Sequence, residues 1–129
     1  MKLLFIATAV IEAGAGVALA VAPSMVVSLL LGTPLDTTAG LTIARIAGAA
    51  LCSLGIACWL ARNDDRSRVA SGLIAAMSLY NAATSAVLAH AGFGIGLIGI
   101  ALWPGVLLHT AMAVWCLACL GGKWSDFVK

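Results

Sequence analysis

Residues 3–22 form a run of twenty residues that carries one charge, the carboxylate of Glu12. At about 1.5 Å per residue such a run extends about 30 Å as a helix, the hydrocarbon thickness of a bilayer. A carboxylate near its centre costs several kcal/mol unless it is neutralised or paired. That cost sets the question for every other polar group in the chain.

Composition admits no soluble alternative. Only 9% of the 129 residues are charged and 63% are hydrophobic, whereas a globular surface needs about 25% charged residues. Mean hydropathy is +1.12. These values suit a single membrane-embedded domain, and a net charge of +2 with no basic patch gives nucleic acid nothing to hold. Lys2, the apolar run and Ala20-Val21-Ala22 imitate a secretory signal with a small-residue cleavage site. Glu12 inside the apolar region opposes that reading, and the run is expected to stay as a transmembrane helix.

The expected fold is all-α, a four-transmembrane-helix bundle with spans at about 3–22, 39–61, 69–91 and 98–120. Pro23 and Ser24 end the first span. The apolar segment 25–31 is too short to cross and is expected as a short interfacial helix, stopped by Gly32, Pro34 and Asp36. Asp36, Thr37 or Thr38 can cap the second span, and Asp65 or Ser67 the third. Residues 92–99 are glycine-rich yet apolar. They form either a tight turn into a helix from Leu97 or a half-inserted loop before a helix opening at Pro104. Gly121 and Gly122 are expected to end the last helix.

Four spans place both termini and the 62–68 loop on one side. That side holds Lys2, Arg62, Arg66, Arg68, Lys123 and Lys129, leaving Arg45 as the seventh basic residue. The positive-inside rule makes it cytoplasmic, with Trp59, Trp115 and Trp124 near its interface. The expected location is a bacterial inner membrane.

Glu12, Tyr80, Asn81 and His109 fall near the middle of their spans, and Arg45 enters the second span from the outer side. Glu12, Arg45, Asn81 and His109 each lie on a face with small residues at spacings of three and four, such as Ala9 and Gly16 beside Glu12, or Gly48 and Cys52 beside Arg45. Such faces mark close helix approach. An ion pair between Glu12 and Arg45 is expected, with Tyr80, Asn81 or His109 meeting the remaining donors and acceptors. This polar core either sets helix register or holds a proton, an ion or a small polar ligand.

Other chemistry finds less support. Cys116-Leu117-Ala118-Cys119 has the spacing of a thiol–disulfide pair, but its flanks are wholly apolar. Cys52, Cys58, Cys116 and Cys119 all lie in apolar segments, against a disulfide framework. His90 and His109 sit about three turns apart in depth, against shared haem ligation. No catalytic set, metal site or nucleotide fingerprint can be drawn, and no cofactor is expected.

Ile11-Glu12-Ala13-Gly14 with Gly16, the apolar segment after Pro23, Ala44-Arg45 with Gly48, and Leu60-Ala61-Arg62 together resemble the small bacterial four-helix membrane proteins of the broad DoxX-like type. The resemblance implies their architecture. Some of those proteins are linked to quinone or thiol chemistry or to larger complexes. Small multidrug-resistance transporters also carry a glutamate midway along the first of four helices, but Glu12 is the one matching position. The leading expectation is a non-enzymatic accessory or scaffold subunit in the lipid bilayer, packing against itself or a partner membrane protein. The alternative is a proton-, ion- or small-molecule-binding protein using Glu12, Arg45, Tyr80, Asn81 and His109. A membrane thiol redox protein using Cys116 and Cys119 is third.

Overall fold

An apolar run in lipid has to satisfy its backbone within itself, and the helix does so. The computed structural model describes residues 1–64 and 67–127, and only the backbone of 123–127. Its elements are α1 (Lys2–Val21), α2 (Pro23–Leu31), α3 (Thr38–Ala61), α4 (Arg68–Phe93) and α5 (Leu102–Phe127). Helices α1, α3 and α4, together with Leu102–Gly122 of α5, are long and apolar enough to cross a membrane.

Local signals set most of the boundaries. Pro23 opens α2 at a position where no backbone donor is needed, and Gly32 closes it at φ +80°, a left-handed conformation that suits glycine. The Thr37 hydroxyl accepts from the Gly40 N–H at 3.1 Å and caps α3. Ser67 caps α4 by accepting from the Ala70 N–H at 3.0 Å, and Asp64 braces it by accepting from the Ser67 N–H at 3.1 Å. Asp65, the other cap considered, lies outside the described residues.

The last span departs from expectation at both ends. α5 starts at Leu102 rather than 98, with Pro104 in its first turn, nearer to a loop before a helix opening at Pro104 than to a turn into a helix from Leu97. The preceding segment is held as a loop: Leu97 N–H donates to Ala91 O at 3.0 Å, and Gly96 takes φ +79°. It then crosses the end of α2, where Ala101 N–H donates to Leu29 O at 2.9 Å. The crossing is so close that a Cβ on Gly99 would overlap the Leu30 backbone. Nor does α5 stop at Gly121 and Gly122. Neither glycine adopts a positive φ, so neither breaks the helix, and α5 continues to Phe127.

The spans pack as two antiparallel pairs, α1 with α3 and α4 with α5. The first pair is a backbone contact. A Cβ on Gly16 would lie 2.6 Å from Gly48 O and 2.7 Å from Cys52 N, and one on Gly55 would lie 2.9 Å from Ala13 N. Small residues bring the two backbones together, as in membrane helix pairs generally. A core of Leu4, Phe5, Ala9, Cys58, Ala70, Ile74, Met77, Met112 and Cys116 joins the pairs at the end where α1 begins. Leu88, Ala91 and Leu102 form a second core near the α2 end. The first end therefore carries Lys2, Arg62 and Arg68 together. The side chains of Arg66, Lys123, Trp124 and Lys129 lie outside the described residues.

Gly16→Ala should destabilise the protein by about 1–3 kcal/mol, because the added methyl meets backbone that cannot yield without shifting the helices. Gly14→Ala, whose Cβ meets nothing within 4 Å, should be neutral or stabilising by up to about 1 kcal/mol. Denaturant titration in one detergent separates the two.

Candidate polar site within the membrane

Glu12 stands at the centre of α1 and is 3% exposed, on the face shared with Thr8, Ala9 and Gly16. Tyr80 and Asn81 stand at the centre of α4. Asn81 is 1% exposed and lies on the buried face with Ile74, Met77 and Ser78. His109 projects from α5 on the same side as the buried Met112, Ala113 and Cys116. The assignment of these residues to inward faces therefore agrees with the packing.

Two hydrogen-bonded pairs result. The Tyr80 hydroxyl donates to Glu12 Oε2 at 3.3 Å, joining α4 to α1. His109 Nδ1 and Asn81 Oδ1 lie 2.8 Å apart, joining α5 to α4. The rings of Tyr80 and His109 meet edge to face with centroids 5.7 Å apart, so the pairs touch. Hydroxyl bonds flank them: Ser85 Oγ lies 2.7 Å from Thr110 Oγ1 and 3.3 Å from Val106 O.

Donor and acceptor roles follow from the geometry. Asn81 Nδ2 donates to Met77 O at 2.8 Å, which orients the amide and leaves Oδ1 as an acceptor toward His109. Two acceptors cannot face each other at this distance, so His109 Nδ1 carries the proton and donates. A neutral imidazole then has Nε2 as its bare nitrogen. Among the described residues, Nε2 has no hydrogen-bond partner.

Arg45 is not part of this site. It is exposed, next to the exposed Ile43 and Ile46, and forms no ion pair with Glu12. The buried face of α3 carries Ala44, Gly48, Gly55 and Cys58. One residue step turns an α-helix by about 100°, enough to carry Arg45 from the edge of that face to the outside. The small-residue stripe through Gly48 and Cys52 located the contact with α1, but its centre lies on the Ala44 side of Arg45. Glu12 thus has a phenol for a partner, and no lysine or arginine among the described residues.

Cys116 is fully buried in the core with Cys58, and Cys119 is half-buried at its margin. All four cysteines are free thiols. Among the described residues, no three His, Cys, Asp or Glu side chains converge to hold a metal ion. Thr8, Ser78 and Thr110 are polar groups of this layer that the sequence reading did not single out. Thr8 sits one turn before Glu12, a spacing that marks it. No family model, curated protein or solved structure matches the chain.

Tyr80→Phe should cost about 1–3 kcal/mol, since it leaves a buried acceptor unsatisfied on Glu12. Glu12→Leu in that background should cost less than in the wild type, because its partner is already gone. A double-mutant cycle on unfolding in detergent measures this coupling. For the second pair, nitrogen-detected NMR of labelled histidine should find the proton of His109 on Nδ1, and Asn81→Leu should abolish that preference.

Proposed function

We propose that this chain is a small non-enzymatic subunit of a bacterial inner membrane, with both termini in the cytoplasm, that works by packing its helices against itself or a partner membrane protein. One observation carries the reading. Among the described residues every fully buried polar side-chain atom has a hydrogen-bond partner inside the chain, so the bonds of the polar layer are spent on ties between helices and it serves as a clasp. What the protein offers outward is the apolar faces of its spans and the exposed Arg45. An arginine on the outside of a span favours an acidic group supplied from elsewhere. The grouping of Lys2, Arg62 and Arg68 at one end supports a cytoplasmic placement of that end. The architectural likeness to DoxX-like proteins agrees with this class and adds no activity.

A second reading has its own support. Glu12 is buried with no cationic side chain beside it, and His109 Nε2 is unengaged among the described residues. A proton, an ion or a small polar ligand taken up at Glu12, Tyr80, Asn81 and His109 uses both features.

Gentle extraction followed by native electrophoresis and co-purification distinguishes the two. For a packing subunit, Arg45→Leu should leave the fold stable but lose most of the assembly. The pair Glu12→Leu with Tyr80→Phe should lower stability and keep the assembly. An assembly indifferent to Arg45, together with a small molecule released only on replacing Glu12, is the outcome that favours the second reading.

A further inference from the structure

The outer side of the α1–α3 pair carries a feature that the polar layer does not use. Where Gly55 lets α3 lie against α1, a shallow groove of ≈ 320 Å³ opens toward the surroundings of the bundle, lined by Ala9, Val10, Ala13, Gly55, Ile56 and Trp59. Val10, Ile56 and Trp59 are its exposed rims, and Ala9 and Gly55 its buried floor. Because α1 and α3 run antiparallel, the groove rises toward the end where α1 begins and α3 ends.

That end of the groove is charged. The guanidinium of Arg62 stacks over the Trp59 ring, with Cζ 4.3 Å from the ring centroid. Its Nη1 donates to Trp59 O at 2.6 Å. The stack and this bond hold the cation directly above the wall of the groove. One N–H is engaged, and among the described residues no carboxylate takes the others. The planar fork suits two oxygens of a phosphate. Lys2, exposed at the start of α1, adds a second cation to the half-buried Arg62 at the same end.

We propose that this groove is a binding site for an anionic phospholipid. One acyl chain lies along Ala9, Ala13 and Gly55 between the rims of Val10 and Ile56. Trp59 covers the glycerol region, and Arg62 holds the phosphate. Charge complementarity selects this occupant over another helix. A transmembrane helix ends in backbone carbonyls or side chains of any kind, whereas a phospholipid always places an anion at the depth where Arg62 waits above an apolar slot. The inference is independent of any protein partner and of the polar layer around Glu12.

The test uses the full chain in phosphatidylcholine vesicles containing a minority of lipid brominated on its acyl chains, carried on phosphatidylglycerol in one set and on phosphatidylcholine in the other. Bromine quenches tryptophan on contact, and subtracting the Trp59→Phe protein isolates the share of Trp59. The brominated phosphatidylglycerol should be preferred at Trp59 by about three- to tenfold, because phosphatidylcholine offers the same phosphate but adds a quaternary ammonium that Arg62 and Lys2 repel. Arg62→Gln should level the two headgroups, and Arg68→Gln, away from the groove, should not. Ala13→Leu, which fills the slot, should lower quenching by both. Equal quenching by the two lipids in the wild type overturns the proposal. So does equal loss in Arg62→Gln and Arg68→Gln, which reduces it to general attraction by a basic end. Efficient disulfide cross-linking of Ile56→Cys to a second copy overturns it as well, because a helix then fills the groove.

Discussion

The hydrogen bond from Tyr80 to Glu12 ties together two helix pairs that otherwise meet through apolar side chains. Inside each pair the contact is extensive. Between α1 and α3 it is backbone against backbone, and between α4 and α5 it is strengthened by the Asn81–His109 and Ser85–Thr110 bonds. In lipid, apolar surfaces have little reason to prefer one another over acyl chains, so packing alone leaves the angle between two pairs weakly determined. A directional bond at mid-depth limits that freedom. A second tie, from Ala101 to Leu29, does the same near the α2 end with backbone groups alone.

This arrangement changes the meaning of the buried carboxylate. With an arginine beside it, Glu12 is half of an ion pair. With a phenol beside it, Glu12 belongs to one of two hydrogen-bonded pairs, Glu12–Tyr80 and Asn81–His109, that touch through the rings of Tyr80 and His109. Such a set of groups rigidifies a bundle when every member is satisfied. Every fully buried polar atom among the described residues meets that condition. Arg45 on α3 and the Arg62–Trp59 stack above the α1–α3 groove lie outside this set of groups. Within the bundle, His109 Nε2 is the group of this set left without a partner among the described residues.

Much of this was legible in the residues. Length and hydropathy determine four spans and a short fifth helix, because a bilayer admits few conformations and each has a minimum length. Thr37, Ser67, Pro23 and Gly32 act at their own positions and set boundaries locally. The inward faces of α1, α4 and α5 followed from the recurrence of small and polar residues every three or four positions. The loop at 94–101 was less legible. Its glycines make many backbone paths available, and the one taken depends on α2, some seventy residues earlier in the chain, lying across it (about the limit of what local pattern can report).

By itself the sequence determined that the chain is helical and apolar enough to span a membrane, that Glu12 lies at mid-depth, and that Tyr80, Asn81 and His109 lie near it. Each of these is a count along one helix. The partner of Glu12 was decided only by tertiary structure. Arg45 and Tyr80 were both within reach in depth, and depth carries no information about rotation. A step of about 100° per residue turns Arg45 outward once Gly48 and Gly55 are pressed against α1, and leaves Tyr80 facing the carboxylate.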